Sequence, residues 1–236
     1  MKQILSLLLL LLNLSISQAQ DVKFAAQKID SLLQQAYQKD QTVRKQTLDL
    51  INKGNTSGLT ASMTDSLVLL SEETERIDAE NLQLITSVLK QGWPKNLQEE
   101  SYHAIFILVD HADSDMNQQK KFLPYLKQGA KEGDISFVEL ATFEDRILLR
   151  AEKPQIYGTQ TQWGTSEKGE SVIYVWPVKD PSHLNDLRKE VGLSTMEEYL
   201  KTLEASAGVK AIYDPHLTVK AIKEKSGMTL KELNVQ

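Results

Sequence analysis

The sequence contains no cysteine among its 236 residues. This absence excludes disulfide bonds, thiolate zinc sites, iron–sulfur clusters and thiol nucleophiles. Histidine occurs four times, so any catalysis must depend on carboxylates, amides, tyrosine or one of these imidazoles. Acidic residues outnumber basic ones by 32 to 27, which gives a net charge of -5. That balance argues against a general nucleic-acid binder, which needs a basic face.

Long apolar runs are also missing, apart from the start of the chain. Lys2 provides a cationic start, and an apolar run of about 13 residues follows at 4–16. The small residues Ser17 and Ala19 then occupy the two positions that a signal peptidase recognises before its cleavage site. We expect a signal peptide over 1–19, cleavage after Ala19 and a periplasmic or extracellular mature protein with no membrane association. A membrane anchor is the alternative, although a span needs about 20 apolar residues.

The spacing of apolar residues in the mature chain predicts a mainly α fold, with a multi-helix single domain and one β-hairpin packed on it. Turn and capping residues delimit the helices. The predicted helices cover 21–53 with a junction at Lys39–Asp40, 65–90, 97–111, 114–133 with Pro124 inside, and a span from a cap at Asp134 to Arg150. Shorter helices are predicted at 182–191 and 194–205.

The periodicity changes after Pro154. Alternation over 155–163 and β-branched residues over 172–178 predict the two strands of the hairpin, at about 155–178. The predicted domain covers 20–206. We expect the lysine-rich tail at 207–236, inside or outside this domain, to form a strand with a helix or to be partly disordered.

One acidic residue of the predicted helix that ends at Arg150 is difficult to explain as scaffold. Asp145 lies four residues after Ala141 and three before Leu148, inside the apolar stripe. A carboxylate that faces a core is costly unless it is paired. We expect it to meet Arg188, His111 or the hairpin, either in a structural ion pair or in a functional site.

Arginine is scarce, because only five of the 27 basic residues are arginine. Three of the five, Arg146, Arg150 and Arg188, lie between 146 and 188. The guanidinium group offers a rigid fork for carboxylate or phosphate. We therefore interpret Arg146 and Arg188 as anchors of an anionic ligand or of the fold itself.

A histidine flanked by carboxylates ends the helix predicted over 97–111. Asp110, His111 and Asp113 are close together in the sequence, so a carboxylate could orient His111 as a general base. The alternative is a histidine that stabilises a helix C-terminus through the helix dipole, with Asp113 in the following turn.

The first predicted strand is unusually rich in uncharged polar side chains. Gln155, Tyr157 and Gln160 surround Gly158, and glycine within a strand often marks the close approach of a ligand or another backbone. A solvated edge strand is the alternative. The sequence contains no Gly-rich phosphate loop, zinc-protease helix or nucleophile elbow.

Several short blocks together resemble a bacterial family of unknown function. They are Asp40-Gln41 with Arg44, Asn81, Gly92-Trp93-Pro94, His111-Ala112-Asp113, Gln118, Leu123-Pro124, Asp145-Arg146, Pro154-Gln155, Tyr157-Gly158-Thr159-Gln160, Asp180-Pro181, Asn185, Arg188 and Gly192-Leu193. These blocks extend over about 39–193. The resemblance implies no activity, but it does imply that the unusual positions belong to one constellation.

These observations predict an exported protein with a polar site between helices and hairpin. The predicted catalytic residues are His111 and Asp145, and the predicted ligand-binding residues are Asp113, Arg146, Gln155, Tyr157, Gln160 and Arg188. We expect no metal or cofactor, and a small molecule, peptide or glycan as partner. Three hypotheses remain: a binding module, a metal-independent hydrolase that uses His111 and Asp145, or a buried polar network with a purely structural role.

Overall fold

The computed structural model describes residues 2–58, 60–112 and 116–226, and it describes the side chains from residue 23 onward except for those of 55–57 and 116. The chain divides into two units, Met1–Ser114 and Asp115–Gln236. The described residues form eight α-helices and one small three-stranded sheet. This architecture confirms the predicted fold class, mainly α with a β-hairpin. The predicted domain boundaries stay a prediction.

The first unit consists of three helices that pack against one another. They are α1 (Lys2–Ser57), α2 (Ala61–Leu89) and α3 (Glu99–Asp110). Buried residues recur at three- and four-residue spacing, as at Leu33, Ala36 and Val43 of α1, and this spacing gives one helix face to a shared core. The hydroxyl of Thr60 caps α2 by accepting a hydrogen bond from the Met63 N–H.

Two predictions for this unit were wrong. Helix α1 continues through Lys39–Asp40 without the predicted junction, because Asp40 lies in the buried stripe of the helix, between Ala36 and Val43, rather than in a turn. Helix α2 begins at Ala61 instead of Asp65, since Thr60 provides the cap.

The second unit contains the remaining five helices. They are α4 (Met116–Glu132), α5 (Phe137–Arg150), α6 (Leu184–Glu190), α7 (Met196–Ala207) and α8 (Val219–Ser226). Ser136 and Glu139 form a capping box that starts α5, so the predicted cap at Asp134 was wrong. Pro124 lies inside α4, as predicted.

The sheet of the second unit has the order β1-β2-β3. Strands β1 (Thr161–Thr165) and β2 (Ser171–Val175) form the antiparallel hairpin, with Trp163 opposite Ile173. Strand β3 (Lys210–Ile212) pairs in parallel with β2. Trp176, which directly follows β2, and Ile222 of α8 belong to one hydrophobic core cluster together with residues of β2. The tail at 207–236 therefore contributes a strand and a helix to this unit. Its last residues, 227–236, lie outside the described part of the chain.

The first strand of the hairpin is shorter than predicted. Residues 155–160 are irregular, apart from an isolated bridge between Gln155 and Val178, and we call this segment the 155–160 loop. Gly158 within it has a φ of +70°, which is incompatible with a regular strand. The backbone groups of Tyr157 and Thr159 bond to side chains, as described below, whereas those of Gln155 and Gln160 at the two ends of the segment bond to the backbone of 176–179.

Candidate functional site

In the first unit, His111 pairs with a buried carboxylate of α1. Its Nδ1 lies 2.8 Å from Oδ2 and 3.0 Å from Oδ1 of Asp40, which is completely buried. An ionised carboxylate only accepts hydrogen bonds, so Nδ1 donates, and the neutral imidazole keeps its lone pair on Nε2. Among the residues that the structure describes, none bonds to that Nε2.

Arg44 connects this pair to a second carboxylate. Its Nε lies 3.1 Å from Oδ1 of Asp40, and its Nη2 lies 2.7 Å from Oδ1 of Asp78 on α2. Burial raises the pKa of Asp78 to about 6, although the charge and hydrogen bond of Arg44 act to lower it. Burial acts to raise the pKa of Asp40 as well, but the hydrogen bonds and charges of His111 and Arg44 outweigh it and hold that pKa below its ordinary value.

Two amides border these charges. The amide of Gln41 donates to Oδ2 of Asp40 at 2.9 Å. Asn81 lies three residues after Asp78, and positions three apart share a helix face. Its side chain is only 5% exposed, and its Nδ2 has no hydrogen-bond partner within the described residues. A buried donor without a partner is costly.

All three helices supply a member of this group, which we call the His111 cluster: Asp40, Arg44, Asp78, Asn81 and His111. His111 is the C-cap residue that directly follows α3. Asp40 belongs to the buried stripe of α1. Of the cluster, only His111 was predicted as a site residue. The missed signal was Asp40, a carboxylate inside an apolar stripe, which is the same pattern that indicated Asp145.

In the second unit, Asp145 of α5 holds the 155–160 loop. Its Oδ1 accepts from the backbone N–H of Ile156 at 2.7 Å and of Tyr157 at 3.1 Å, and its Oδ2 accepts from the N–H of Thr159 at 3.0 Å and from the Thr159 hydroxyl at 2.9 Å. Burial raises the pKa of Asp145, and these hydrogen bonds act to lower it. The carboxylate, which is completely buried, thus meets a hairpin-side partner, one of the three expected.

The carbonyl groups of the same loop bond to buried donors. Arg188 donates from Nη1 to the carbonyl of Tyr157 at 2.7 Å, and its guanidinium carbon lies 4.9 Å from the centre of the Tyr199 ring. The Tyr199 hydroxyl donates to the carbonyl of Thr159 at 2.7 Å. Asp145 therefore accepts from N–H groups of the loop, and Arg188 and Tyr199 donate to its carbonyls, as buried polar groups require.

Gln155 closes the loop on itself. Its Nε2 donates to the carbonyl of Trp176 at 2.6 Å, and its Oε1 accepts from the N–H of Gln160 at 2.9 Å. The side chain of Gln160 donates to the carbonyl of Thr142 at 3.3 Å. The side chains of Gln155 and Gln160 thus form hydrogen bonds with backbone groups. The Tyr157 side chain, in contrast, lines a pocket.

The predicted site residues thus fall into separate groups. His111 belongs to the first unit, and Asp145, Gln155, Tyr157, Gln160 and Arg188 come together around the 155–160 loop of the second. Arg146 is half-buried on α5, and Asp113 lies outside the described residues. No group of three or more histidine or carboxylate side chains that could hold a metal ion occurs in the described part of the chain.

The family comparison adds a classification without an activity. The sequence model of DUF6624, a family of unknown function, matches residues 24–212. The chain therefore belongs to this family, which is the kind of family that the sequence blocks indicated. No curated protein and no solved structure matches the chain.

Proposed function

We propose that the protein is a hydrolase whose acid–base centre is the His111 cluster. The observation that carries this proposal is the 2.8 Å contact between Nδ1 of His111 and the buried Asp40. This contact fixes the ring and its tautomer, so that Nε2 can take a proton. A partly exposed imidazole oriented in this way is a general base.

The two carboxylates provide a division of roles. Environments that separate the pKa values of two acids assign one as the ionised partner and the other as the proton donor. Asp40, with its lowered pKa, orients His111 and stabilises the imidazolium. Asp78, with a pKa of about 6, retains a proton in mildly acidic solution and can act as the general acid.

The reaction that these groups support is the attack of water on an acyl or phosphoryl centre. His111 removes a proton from the water as its oxygen bonds to that centre, and Asp78 gives a proton to the leaving group. Arg44 and the Nδ2 of Asn81 are donors for the negative charge that develops on the substrate oxygen. Asp145 takes no part in this proposal, because the loop N–H groups occupy both of its oxygens.

A binding module is the second candidate, because the same donors could hold an anionic group without turnover. The unpartnered Nδ2 of Asn81 favours it. A purely structural role is the third possibility for the polar groups around the 155–160 loop, where nearly every polar atom has a partner.

A panel of chromogenic substrates tests the hydrolase proposal: p-nitrophenyl acetate, p-nitrophenyl phosphate and p-nitrophenyl glycosides. We expect turnover of at least one class, and a loss of about 10²-fold or more in kcat/KM for His111→Gln and Asp40→Asn. His183→Gln is the matched control, since His183 also contacts a carboxylate, Asp180, but is exposed. Equal activity of folded His111→Gln and wild type would contradict the proposal.

We also propose that the protein is exported. The apolar run of 4–16 and the small residues Ser17 and Ala19 support this location, and the family match begins at residue 24, just beyond the expected cleavage position. No helix in the described part of the chain is long and apolar enough to cross a membrane.

A further inference from the structure

The second unit carries a pocket of about 470 Å³ beside the 155–160 loop. Helices α4 and α5, the Tyr157 side chain and the end of α6 form its walls. Phe137, Leu140 and Val191 supply apolar surface, and the Phe137 side chain is 54% exposed. A pocket of this size accommodates a small organic molecule.

The charged side chains that line this pocket are one lysine and two glutamates, so the pocket carries a net negative charge. Lys127 forms an ion pair with Glu144, at 2.9 Å between Nζ and Oε1. The second carboxylate, that of Glu190, lines the same pocket and has no hydrogen-bond or ion-pair partner among the described residues. The Glu190 side chain is exposed, so its negative charge is accessible to a ligand in the pocket.

Burial and the nearby carboxylates raise the pKa of Tyr157. Burial raises the pKa of its hydroxyl, and the charges of Glu144, Asp145 and Glu190 raise it further, together with a hydrogen bond to Glu144. The hydroxyl thus stays protonated, and a neutral aromatic residue lines the pocket. Neutral aromatic rings favour cations over anions.

The backbone of Tyr157 is fixed before any ligand arrives. Its N–H donates to Asp145 and its carbonyl accepts from Arg188. A binding residue held by buried partners loses little conformational freedom when a ligand binds. The network around the loop therefore has a consequence at the surface, because it positions the one side chain that the loop contributes to the pocket.

We propose that this pocket binds an organic ammonium ion with an apolar body. The ammonium group pairs with Glu190 and lies against the ring of Tyr157, and the apolar body covers Phe137, Leu140 and Val191. The proposal uses no residue of the His111 cluster and stands whether or not the protein is a hydrolase.

Titration of the full chain with 2-phenylethylammonium, followed by calorimetry and by NMR shifts of Tyr157 and Val191, tests the proposal. The matched probe is 3-phenylpropionate, which has a similar apolar body but the opposite charge. We expect a dissociation constant in the range of about 1 mM for the cation and at least about fivefold weaker binding of the anion. Equal binding of both probes, or no binding of the cation, would overturn the proposal.

Three variants locate the charge effect. Glu190→Gln should weaken cation binding about fivefold, whereas Glu170→Gln, which removes the same charge from the exposed hairpin turn, should leave it unchanged. Lys127→Gln should strengthen it, because Glu144 loses its partner. Thermal unfolding confirms that each variant is folded. If folded Glu190→Gln binds the cation as tightly as wild type does, the carboxylate is not the recognition group and the proposal fails.

Discussion

At the scale of single residues, two carboxylates on one arginine differ because their partners differ. Among the described residues, Asp40 receives hydrogen bonds from His111, Arg44 and Gln41, whereas Asp78 receives one, from Arg44. Asp40 is buried and Asp78 is half-buried, so the difference in donors decides which one stays ionised. The proposed acid–base roles depend on this asymmetry.

The pH dependence of stability should reveal the raised pKa of Asp78. The folded pKa of about 6 exceeds the ordinary value of 3.8, so the folded state binds the proton more tightly than the unfolded state does. The contribution of Asp78 to stability is therefore full below about pH 4 and is lost as the pH rises through 6. Asp78→Asn should remove this loss, so that its stability relative to wild type increases between pH 4.5 and 7.

Urea unfolding at several pH values measures this effect. Asp49→Asn, which changes an exposed carboxylate of α1, is the control and should run parallel to wild type. Parallel profiles for Asp78→Asn and wild type would show that the Asp78 carboxyl has no raised pKa.

A second residue-scale prediction concerns Asp145. Asparagine in its place has one oxygen fewer, and its NH₂ group would face the N–H groups of the loop. We expect Asp145→Asn to lower the free energy of unfolding by about 2–3 kcal/mol, the cost of leaving buried donors without acceptors. Denaturant unfolding monitored by tryptophan fluorescence measures it. Asp186→Asn, at an exposed position on α6, should change the stability little, and a similarly small change for Asp145→Asn would refute the structural role.

At the scale of elements, the 155–160 loop owes its shape to Gly158. Its φ of +70° is strained for any residue with a Cβ. A Cβ at this position would also lie 2.6 Å from Cε of Met196, a buried residue of α7, and 3.5 Å from Cγ2 of Val178. The segment is therefore a crowded turn, although its sequence alternates as a strand would.

Substitution by alanine separates strain from crowding. Gly169 in the hairpin turn has a φ of +80° and open space around it, so Gly169→Ala should cost only the backbone strain, about 1–2 kcal/mol. Gly158→Ala should cost at least about 1 kcal/mol more, because Met196 must move. Equilibrium unfolding in urea compares the two variants, and equal losses would show that Met196 adapts without cost.

At the scale of the whole molecule, each of the two units contains one of the polar groups described above: the His111 cluster in the first and the groups around the 155–160 loop in the second. Among the described residues, the His111 cluster leaves the Nδ2 of Asn81 and the Nε2 of His111 without a partner, whereas the groups around the 155–160 loop bond almost entirely to one another. This difference is the reason for assigning chemistry to the first unit and positioning to the second.

The proposed export makes a prediction about the mature chain. Cleavage after Ala19 removes 19 of the 236 residues and leaves 217 that begin at Gln20. Because Lys2 is lost, the net charge changes from -5 to -6. Intact-mass spectrometry of the protein recovered from the periplasm or medium of an expressing bacterium measures the N-terminus. Recovery of the 236-residue chain from the cytoplasm alone would contradict the export proposal.

The sequence by itself determined the helices, the hairpin and the carboxylates that lie inside apolar helix stripes, because these features depend on local periodicity and capping. It did not determine the partners. His111 and Asp40 lie 71 positions apart, and only the packing of α1 against α3 brings the two together. Likewise, alternation over 155–160 predicted a strand, but the hydrogen bonds that the backbone donates to Asp145 and accepts from Arg188 outweigh that local preference. Tertiary structure decided the site, because burial makes every unpaired polar group costly and so selects partners irrespective of their distance in sequence.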